Sequence, residues 1–301
     1  MTQTTTRRPL GRIAPQPARP HLKLSAVLVD ALASAKVPNP PPAALYADDA
    51  ISFDMYGNDQ YGDCVEAGYG HLVNQITFYG SGSEFVPTTA DVLGMYSAIT
   101  GFDPKKPSTD QGTYIQDALA YARKTGLDTH KIVAYAAVDP SNTAEVKQSV
   151  ALFGQLLIGM NFPDSAMDQF DNGEDWAVVK GATIEGGHCV LIVGYDAAGL
   201  DLVTWGKHIR MTWAFWSKYV DEAWVILDAD GVQRAGAFFT GLASFYALGE
   251  AFTELTGETN PVPQPVDPSP VPDPTPTPEP GVYTADQFVS DVKALLSTHN
   301  L

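Results

Sequence analysis

The sequence is poor in cysteine and in positive charge. It holds 2 cysteines among 301 residues, too few for a disulfide framework, which indicates a reducing interior or indifference to redox conditions. The formal net charge is −17, and phosphate contacts need clustered Lys and Arg, so we expect no nucleic-acid partner. The acidity is compatible with a cationic partner, although its simplest meaning is solubility.

Long apolar runs are also absent. No run reaches 18 apolar residues, so we expect no membrane span. The N-terminus MTQTTTRRPLGRIAPQPARP lacks the apolar stretch of a secretory signal, which predicts a protein without a signal peptide.

The chain divides into four predicted segments. Residues 1–45 form a Pro-rich N-terminal arm. Its recurring prolines fix φ and remove hydrogen-bond donors, so we expect an extended segment that lies on a protein surface. Residues 46–256 carry the helical and strand patterns of a domain. In the linker at 257–281, ten of the twenty residues from 261 to 280 are proline, which predicts a semi-rigid spacer of roughly 60 Å. Residues 282–301 form the fourth segment.

That last segment is predicted to be a short amphipathic helix. Thr284 and Gln287 fit a capping box, and the apolar stripe that follows is Phe288, Val292, Leu295 and Leu296. Isolated helices shorter than about 12–15 residues are marginal in water. The stripe therefore needs a surface to dock on, either its own domain or a protein partner.

The domain itself changes from helical to strand patterns along the chain. Helical spacing begins after Asp63, near Thr113 and at Asn142 or Thr143. Strand patterns follow in LLIGM, HCVLIVGY, LDLVT and AWVIL, with one helix from Ala214 to Val220 between the last two. Helices that come first and strands that dominate later predict an α+β fold rather than a doubly wound sheet.

Cys64 is the candidate nucleophile. A nucleophilic cysteine needs a lowered thiol pKa, a base and donors for the oxyanion, and Cys64 opens a helix whose dipole favours a thiolate. His188 is the preferred base because Gly186-Gly187 leaves room before it, with His208 in reserve. Strand alternation points Cys189 away from His188, so if His188 faces Cys64 then Cys189 faces the core. We therefore expect neither a disulfide nor a zinc site, and no cofactor.

The order of these features resembles that of the papain-like cysteine peptidases over roughly residues 46–230. In that family a Cys opens the first long helix, and a Gly-His-Ala-Val strand, an Asn-Ser-Trp-Gly hairpin and a closing strand come later. Here Cys64, GGHCVLIVGYD, VTWG and EAWVIL occur in the same order. The resemblance implies a papain-like fold, with an N-terminal helical half that carries the nucleophile helix and a C-terminal antiparallel β half.

A narrower resemblance concerns the source. The blocks GNDQYGDC and YVDEAW are similar to those of uncharacterised proteins from actinobacteria and their phages. This similarity implies a bacterial cytoplasm or a phage particle as the location.

The family resemblance also implies roles in acyl transfer. The family places a Gln six residues before the Cys as oxyanion donor; here that position is Asn58, and Gln60 is the alternative donor. The family Asn that orients the His lies sixteen residues after it, which corresponds to Thr204; alignment on Trp205-Gly206 gives Val203 instead. Trp205 is expected to shield the site.

Two functions remain open at this point. The first is a cysteine hydrolase that cleaves a peptide or protein substrate through a Cys64 thioester, with His188 as base. The second is a catalytically weak or inactive papain-like module, serving as a phage virion or surface component tethered by the Pro-rich linker. Thr204 in the place of Asn favours the second. The acidic loop at 163–185 is the expected wall of a cleft, facing a cationic partner or only solvent.

Overall fold

The structure is a computed structural model that describes residues 7–19, 21–25, 39–81 and 83–228. The predicted linker at 257–281, the predicted helix at 282–301 and residues 229–256 of the predicted domain lie outside this part of the chain. Within it, no helix combines the length and the apolar character needed to cross a bilayer.

The described residues form six α-helices and seven β-strands. The helices are α1 (Cys64–Ser81), α2 (Thr89–Thr100), α3 (Ile115–Lys124), α4 (Thr143–Phe153), α5 (Asp164–Asn172) and α6 (Trp213–Tyr219). The strands are β1 (Ala44–Leu45), β2 (Ile132–Ala137), β3 (Leu156–Pro163), β4 (Ile184–Tyr195), β5 (Gly199–Thr204), β6 (Lys207–Thr212) and β7 (Val220–Asp228).

All the strands belong to one antiparallel sheet in the order β2-β7-β3-β4-β5-β6, and β1 pairs with the far end of β4. Three helices precede most of this sheet in the chain. The α+β prediction is therefore confirmed.

The sheet separates two hydrophobic cores, and the alternation of side chains along β4 shows how. Val190 and Ile192 pack with α4, α5 and α6 on one face, whereas Leu191 and Val193 pack with α1, α2 and α3 on the other. Residues of β4 are buried on both faces, which explains why its sequence is a continuous apolar run instead of an alternating one.

Helix boundaries follow capping chemistry. Asn142 caps α4, since its side chain accepts a hydrogen bond from the Glu145 N–H at 3.2 Å, and Gly154 ends the helix with φ of 78°. Two helices were not predicted. Helix α2 starts at a capping box formed by Thr88 and Asp91, and α5 lies in the segment predicted to be the loop 163–185.

Residues 7–19 of the N-terminal arm lie on the domain and contain no helix. Their basic side chains meet carboxylates on the domain. The ion pairs are Arg7 with Glu185 at 2.7 Å, Arg8 with Asp171 at 2.8 Å, Arg12 with Asp221 and Glu222 at 2.5 and 2.8 Å, and Arg19 with Asp117 at 2.6 Å. Asp171 and its neighbours in the acidic segment were expected to face solvent or a cationic partner, and this chain's own arm supplies such a partner.

Candidate active site

Cys64 is the first residue of α1, and its side chain is almost completely enclosed, at 1% exposure. Burial, the main cause, raises the pKa of the Cys64 thiol to about 12, and the charges of Asp63 and Glu66 raise it further. The backbone N–H groups of Gly11 and Cys189 point at the sulfur and lower the pKa, but they do not outweigh burial. The thiol is therefore protonated at neutral pH.

The arm covers this thiol. Gly11 lies against Gly62, where a Cβ on Gly11 would come within 1.6 Å of the Gly62 carbonyl oxygen. The Thr113 N–H donates to the Gly11 carbonyl at 2.8 Å, and on the other side the Arg12 N–H donates to the Gly187 carbonyl at 3.0 Å. We call the groove between Thr113 and Gly187 the cleft. Hydrogen bonds to both of its walls hold the arm there as an extended peptide.

His188 is held through one ring nitrogen only. Its Nε2 lies 2.8 Å from the Thr204 hydroxyl, and Trp205 stacks on the ring with centroids 4.4 Å apart and planes at 19°. Its Nδ1 is buried and has no hydrogen-bond partner among the described residues. Burial, then the charges of Arg8 and His71, lowers the pKa of His188 to about 3, so the ring is neutral.

Of the two alignments that the resemblance allows, the one that gives Thr204 matches the register of the sheet. Val203 pairs with Leu191, and both belong to the core beside α1. Thr204, one residue later, points to the opposite face and meets His188. The reserve base His208, at 38% side-chain exposure, lies elsewhere, 3.3 Å from Asp201, which in turn pairs with Arg210 at 3.0 Å.

Cys189 faces the core, as strand alternation predicts, and Cys64 belongs to the same core. Cys189 points away from His188 and meets Gly68 of α1. The His188 ring instead contacts Phe162 and Trp176 of the other core. Alternation fixes only that the two neighbours face opposite sides. The structure shows no hydrogen bond between the Cys64 sulfur and His188, whose Nδ1 has no partner among the described residues. Both cysteines are nevertheless free thiols.

The predicted oxyanion donors also need a correction. Both amide hydrogens of Asn58 are used, because its Nδ2 donates to the Tyr61 carbonyl at 3.2 Å and to the Asp63 carboxylate at 3.1 Å. Asn58 thus supports the turn before α1 and offers no free N–H to an oxyanion in this arrangement. Gln60 lies exposed in the same turn, which its backbone N–H closes on the Gly57 carbonyl at 2.9 Å.

Two acidic neighbours of Cys64 were not singled out as functional from the sequence. Burial raises the pKa of Asp63 to about 8 and that of Glu66 to about 8, so both are largely protonated at neutral pH. Their adjacency in DCVE is visible in the sequence, but their burial is not. Among the residues that the structure describes, no cluster of three His, Cys, Asp or Glu side chains could hold a metal ion.

Comparison with known proteins identifies the fold. No protein-family model and no curated protein matches the sequence. Among solved structures, the chain is similar to xylellain, a cysteine protease from Xylella fastidiosa, with 17% identity and a TM-score of 0.56 over 76% of this chain and 99% of that one. It is also similar to a recombinant stem bromelain precursor, with 11% identity and a TM-score of 0.50 over 75% and 78% of the two chains. The papain-like fold predicted from the sequence is confirmed.

Proposed function

Starting from the papain-like fold, we propose that this chain is a thiol-dependent hydrolase that cleaves peptide or amide bonds through a thioester on Cys64. The state of His188 carries the proposal: Thr204 holds Nε2, and Nδ1 is buried without a partner among the described residues. In the tautomer that we assign, Nε2–H donates to the Thr204 hydroxyl, so the neutral imidazole keeps a lone pair on Nδ1, which is what a general base requires. The Cys189 N–H points at the Cys64 sulfur, so the thiol lies against the peptide group that follows His188.

The proposed reaction has two halves. His188 takes the proton from Cys64, and the thiolate attacks the substrate carbonyl carbon to form a tetrahedral oxyanion. The Cys64 N–H at the start of α1 and the exposed Gln60 amide are the donors that we assign to this oxyanion. Protonated His188 then gives its proton to the leaving amine. Water, deprotonated by His188, hydrolyses the thioester and releases the acid and the free thiol.

In this proposal the arm keeps the enzyme latent. With the arm in the cleft the thiol pKa is about 12 and the imidazole pKa is about 3, so transfer of the proton from Cys64 to His188 is strongly uphill. A substrate carbonyl also has no path to the enclosed sulfur. Hydrolysis therefore requires that residues 7–19 leave the cleft.

A second candidate function is a papain-like module that binds without catalysis. Asn58 has no free amide hydrogen, and a hydroxyl orients the His188 ring more weakly than the amide of the family Asn would. Attachment of such a module to a phage particle or surface through the Pro-rich linker is part of this candidate.

A pair of cysteine variants separates the two functions. In the full chain with Arg12→Ala, which loosens the arm, we expect hydrolysis of a mixed peptide substrate that Cys64→Ala abolishes and Cys189→Ala preserves. Cys189 is the matched control because it is the other buried free thiol. Hydrolysis that survives Cys64→Ala would contradict the proposal. Absence of hydrolysis, with equal and slow alkylation of both thiols, would favour the binding module.

Thr204 provides a separate prediction about His188. In the Arg12→Ala chain, Thr204→Val removes the partner of Nε2, so we expect kcat to fall about ten-fold or more while KM changes little, because the ring loses its orientation. The free energy of unfolding should also fall by about 1–3 kcal/mol, since a buried nitrogen loses its hydrogen bond. Thr204→Ser retains the hydroxyl and should restore kcat. If Thr204→Val lowers the melting temperature and leaves kcat intact, Thr204 has only a structural role.

A further inference from the structure

The arm shows how an extended peptide fits the cleft, and we propose from it that the cleft selects peptides with an arginine side chain, which Asp221 and Glu222 bind. The inference rests on the proposed function in one respect, namely that the substrate enters the cleft that the arm now occupies. Asp221 and Glu222 lie near the start of β7 and form what we call the arginine subsite.

The contacts of Arg12 define this subsite. The Arg12 side chain is 0% exposed. Its Nη2 donates to Asp221 at 2.5 Å and to Glu222 at 2.8 Å, while Nη1 donates to Asp221 at 3.2 Å and Nε to Glu222 at 3.3 Å. Each carboxylate thus receives two N–H groups of one planar guanidinium. Such a fork suits arginine, whereas a lysine ammonium is a point charge that satisfies fewer of these acceptors.

Two glycines give the arginine its room. A Cβ on Gly159 of β3 would lie 2.4 Å from Arg12 Nε, and a Cβ on Gly187 of β4 would lie 2.1 Å from the Arg12 carbonyl oxygen. Any other residue at either position would close the subsite or push the peptide away from the cleft wall. Three neighbouring strands, β7, β3 and β4, therefore form the walls of a subsite that fits the Arg12 side chain.

The two acids need a cation when the arm leaves. The Glu222 side chain is 5% exposed, and its other oxygen accepts from the Trp224 indole at 2.8 Å, while Asp221 also accepts from the Asn161 amide at 2.9 Å. These contacts fix the carboxylates in place but bring no positive charge. Within the described part of the chain, Arg12 is the only basic residue paired with either acid. Two adjacent carboxylates without a cation repel each other and favour an incoming guanidinium.

The subsite lies next to the candidate nucleophile. The Gly11 N–H points at the Cys64 sulfur, and Arg12 is the next residue along the arm. A substrate that binds like the arm therefore carries its arginine one residue from the position over the thiol. Selection by the subsite then acts on the bond that Cys64 would attack.

Peptide binding tests the subsite without requiring turnover. The protein is the full chain with Arg12→Ala and Cys64→Ala, which frees the subsite and prevents hydrolysis. The probes are fluorescein-labelled peptides of sequence LGRIA, in which arginine is retained or replaced by lysine or by neutral, isosteric citrulline. We expect fluorescence anisotropy to show about 10- to 100-fold tighter binding of the arginine peptide than of the citrulline peptide, with lysine between them.

Acid-to-amide variants locate the selectivity. Glu222→Gln keeps an acceptor for the Trp224 indole, and Asp221→Asn is a second variant in case Glu222→Gln fails to fold. Either should bring the arginine-to-citrulline ratio toward one. Asp103→Asn is the matched control, because Asp103 pairs with Lys106 in a surface turn and should leave the ratio unchanged.

The outcomes separate this inference from the proposed function. Equal binding of the arginine and citrulline peptides, or no binding of either, overturns the arginine subsite. If the arginine preference is present but the Arg12→Ala chain hydrolyses none of the peptides, the subsite stands and the hydrolase proposal fails. If hydrolysis occurs without any arginine preference, the hydrolase stands and the subsite fails.

Discussion

Substitution of Gly11 by alanine in the full-length chain should make Cys64 react at least about 100-fold faster with an uncharged, thiol-directed alkylating reagent at pH 7.5. The added Cβ would come within 1.6 Å of the Gly62 carbonyl oxygen, a contact that no rotamer relieves, so the arm must leave the cleft. Water then reaches the sulfur, and the thiol pKa falls from about 12 toward the usual value near 8.5. Each pKa unit is worth about ten-fold in thiolate, which exceeds the accompanying loss of nucleophilicity.

Mass spectrometry of the alkylated chain measures this rate at each cysteine separately. Gly94→Ala is the matched control, because Gly94 lies in α2, where an added methyl group would meet no atom within 4 Å, and it should leave the rate unchanged. Cys189 lies in the core and should stay slow in every variant. If the Gly11→Ala chain reacts at the original rate, or if both thiols accelerate together, the arm is not what protects Cys64.

The net charge does not reveal the ion pairs that the arm forms with the domain. A formal charge of −17 indicates solubility or a cationic partner, but it does not reveal that the chain's own arginines are such a partner. In the fold, Arg7, Arg8 and Arg12 meet Glu185, Asp171 and the two acids of β7. The partners of Arg12 lie more than 200 residues away along the chain. Such pairs depend on the strand order β7-β3-β4, which local patterns do not encode.

The parts of the site that could be predicted are those that depend on local spacing. Cys64 at a helix start and His188 on a strand follow from periodicity, whereas Thr204 follows from the family resemblance, by a count of sixteen residues from His188. Asn58 could not be assigned in this way. Its side-chain amide could donate either to an oxyanion or to nearby acceptors. Only the turn geometry shows that Tyr61 and Asp63 accept both of its hydrogens.

Sequence spacing also does not show which residues are buried. Burial has the largest effect on the pKa of Cys64 and on that of His188. Helix dipole arguments favour a thiolate at Cys64, since a helix N-terminus stabilises negative charge. Burial reverses the balance and raises the thiol pKa to about 12. Burial, with the charge of Arg8, also keeps His188 neutral. The arm acts on both pKa values through the Gly11 N–H at the sulfur and the charge of Arg8 near His188.

His188→Ala in the Gly11→Ala chain should lower the reactivity of Cys64 at neutral pH but not at high pH. Release of the arm lets water reach the site and removes the charge of Arg8, so the His188 pKa should rise from about 3 toward 6.5 while the thiol pKa falls. The two groups then share one proton near neutrality, and alkylation in the Gly11→Ala chain should reach a plateau there. Without His188, the alkylation rate should instead climb with pH until the unassisted thiol ionises.

The expected loss at pH 7 is about ten-fold or more for alkylation and about 10²- to 10⁴-fold for hydrolysis, because hydrolysis also needs His188 as acid and base. His208→Ala is the matched control, since His208 is exposed beside Asp201, on a different strand from His188. It should leave both rates and the plateau unchanged. Parallel pH profiles with and without His188 would mean that the imidazole does not ionise the thiol. The unpartnered Nδ1 would then be a feature of packing beneath Trp205 and would not mark a catalytic base.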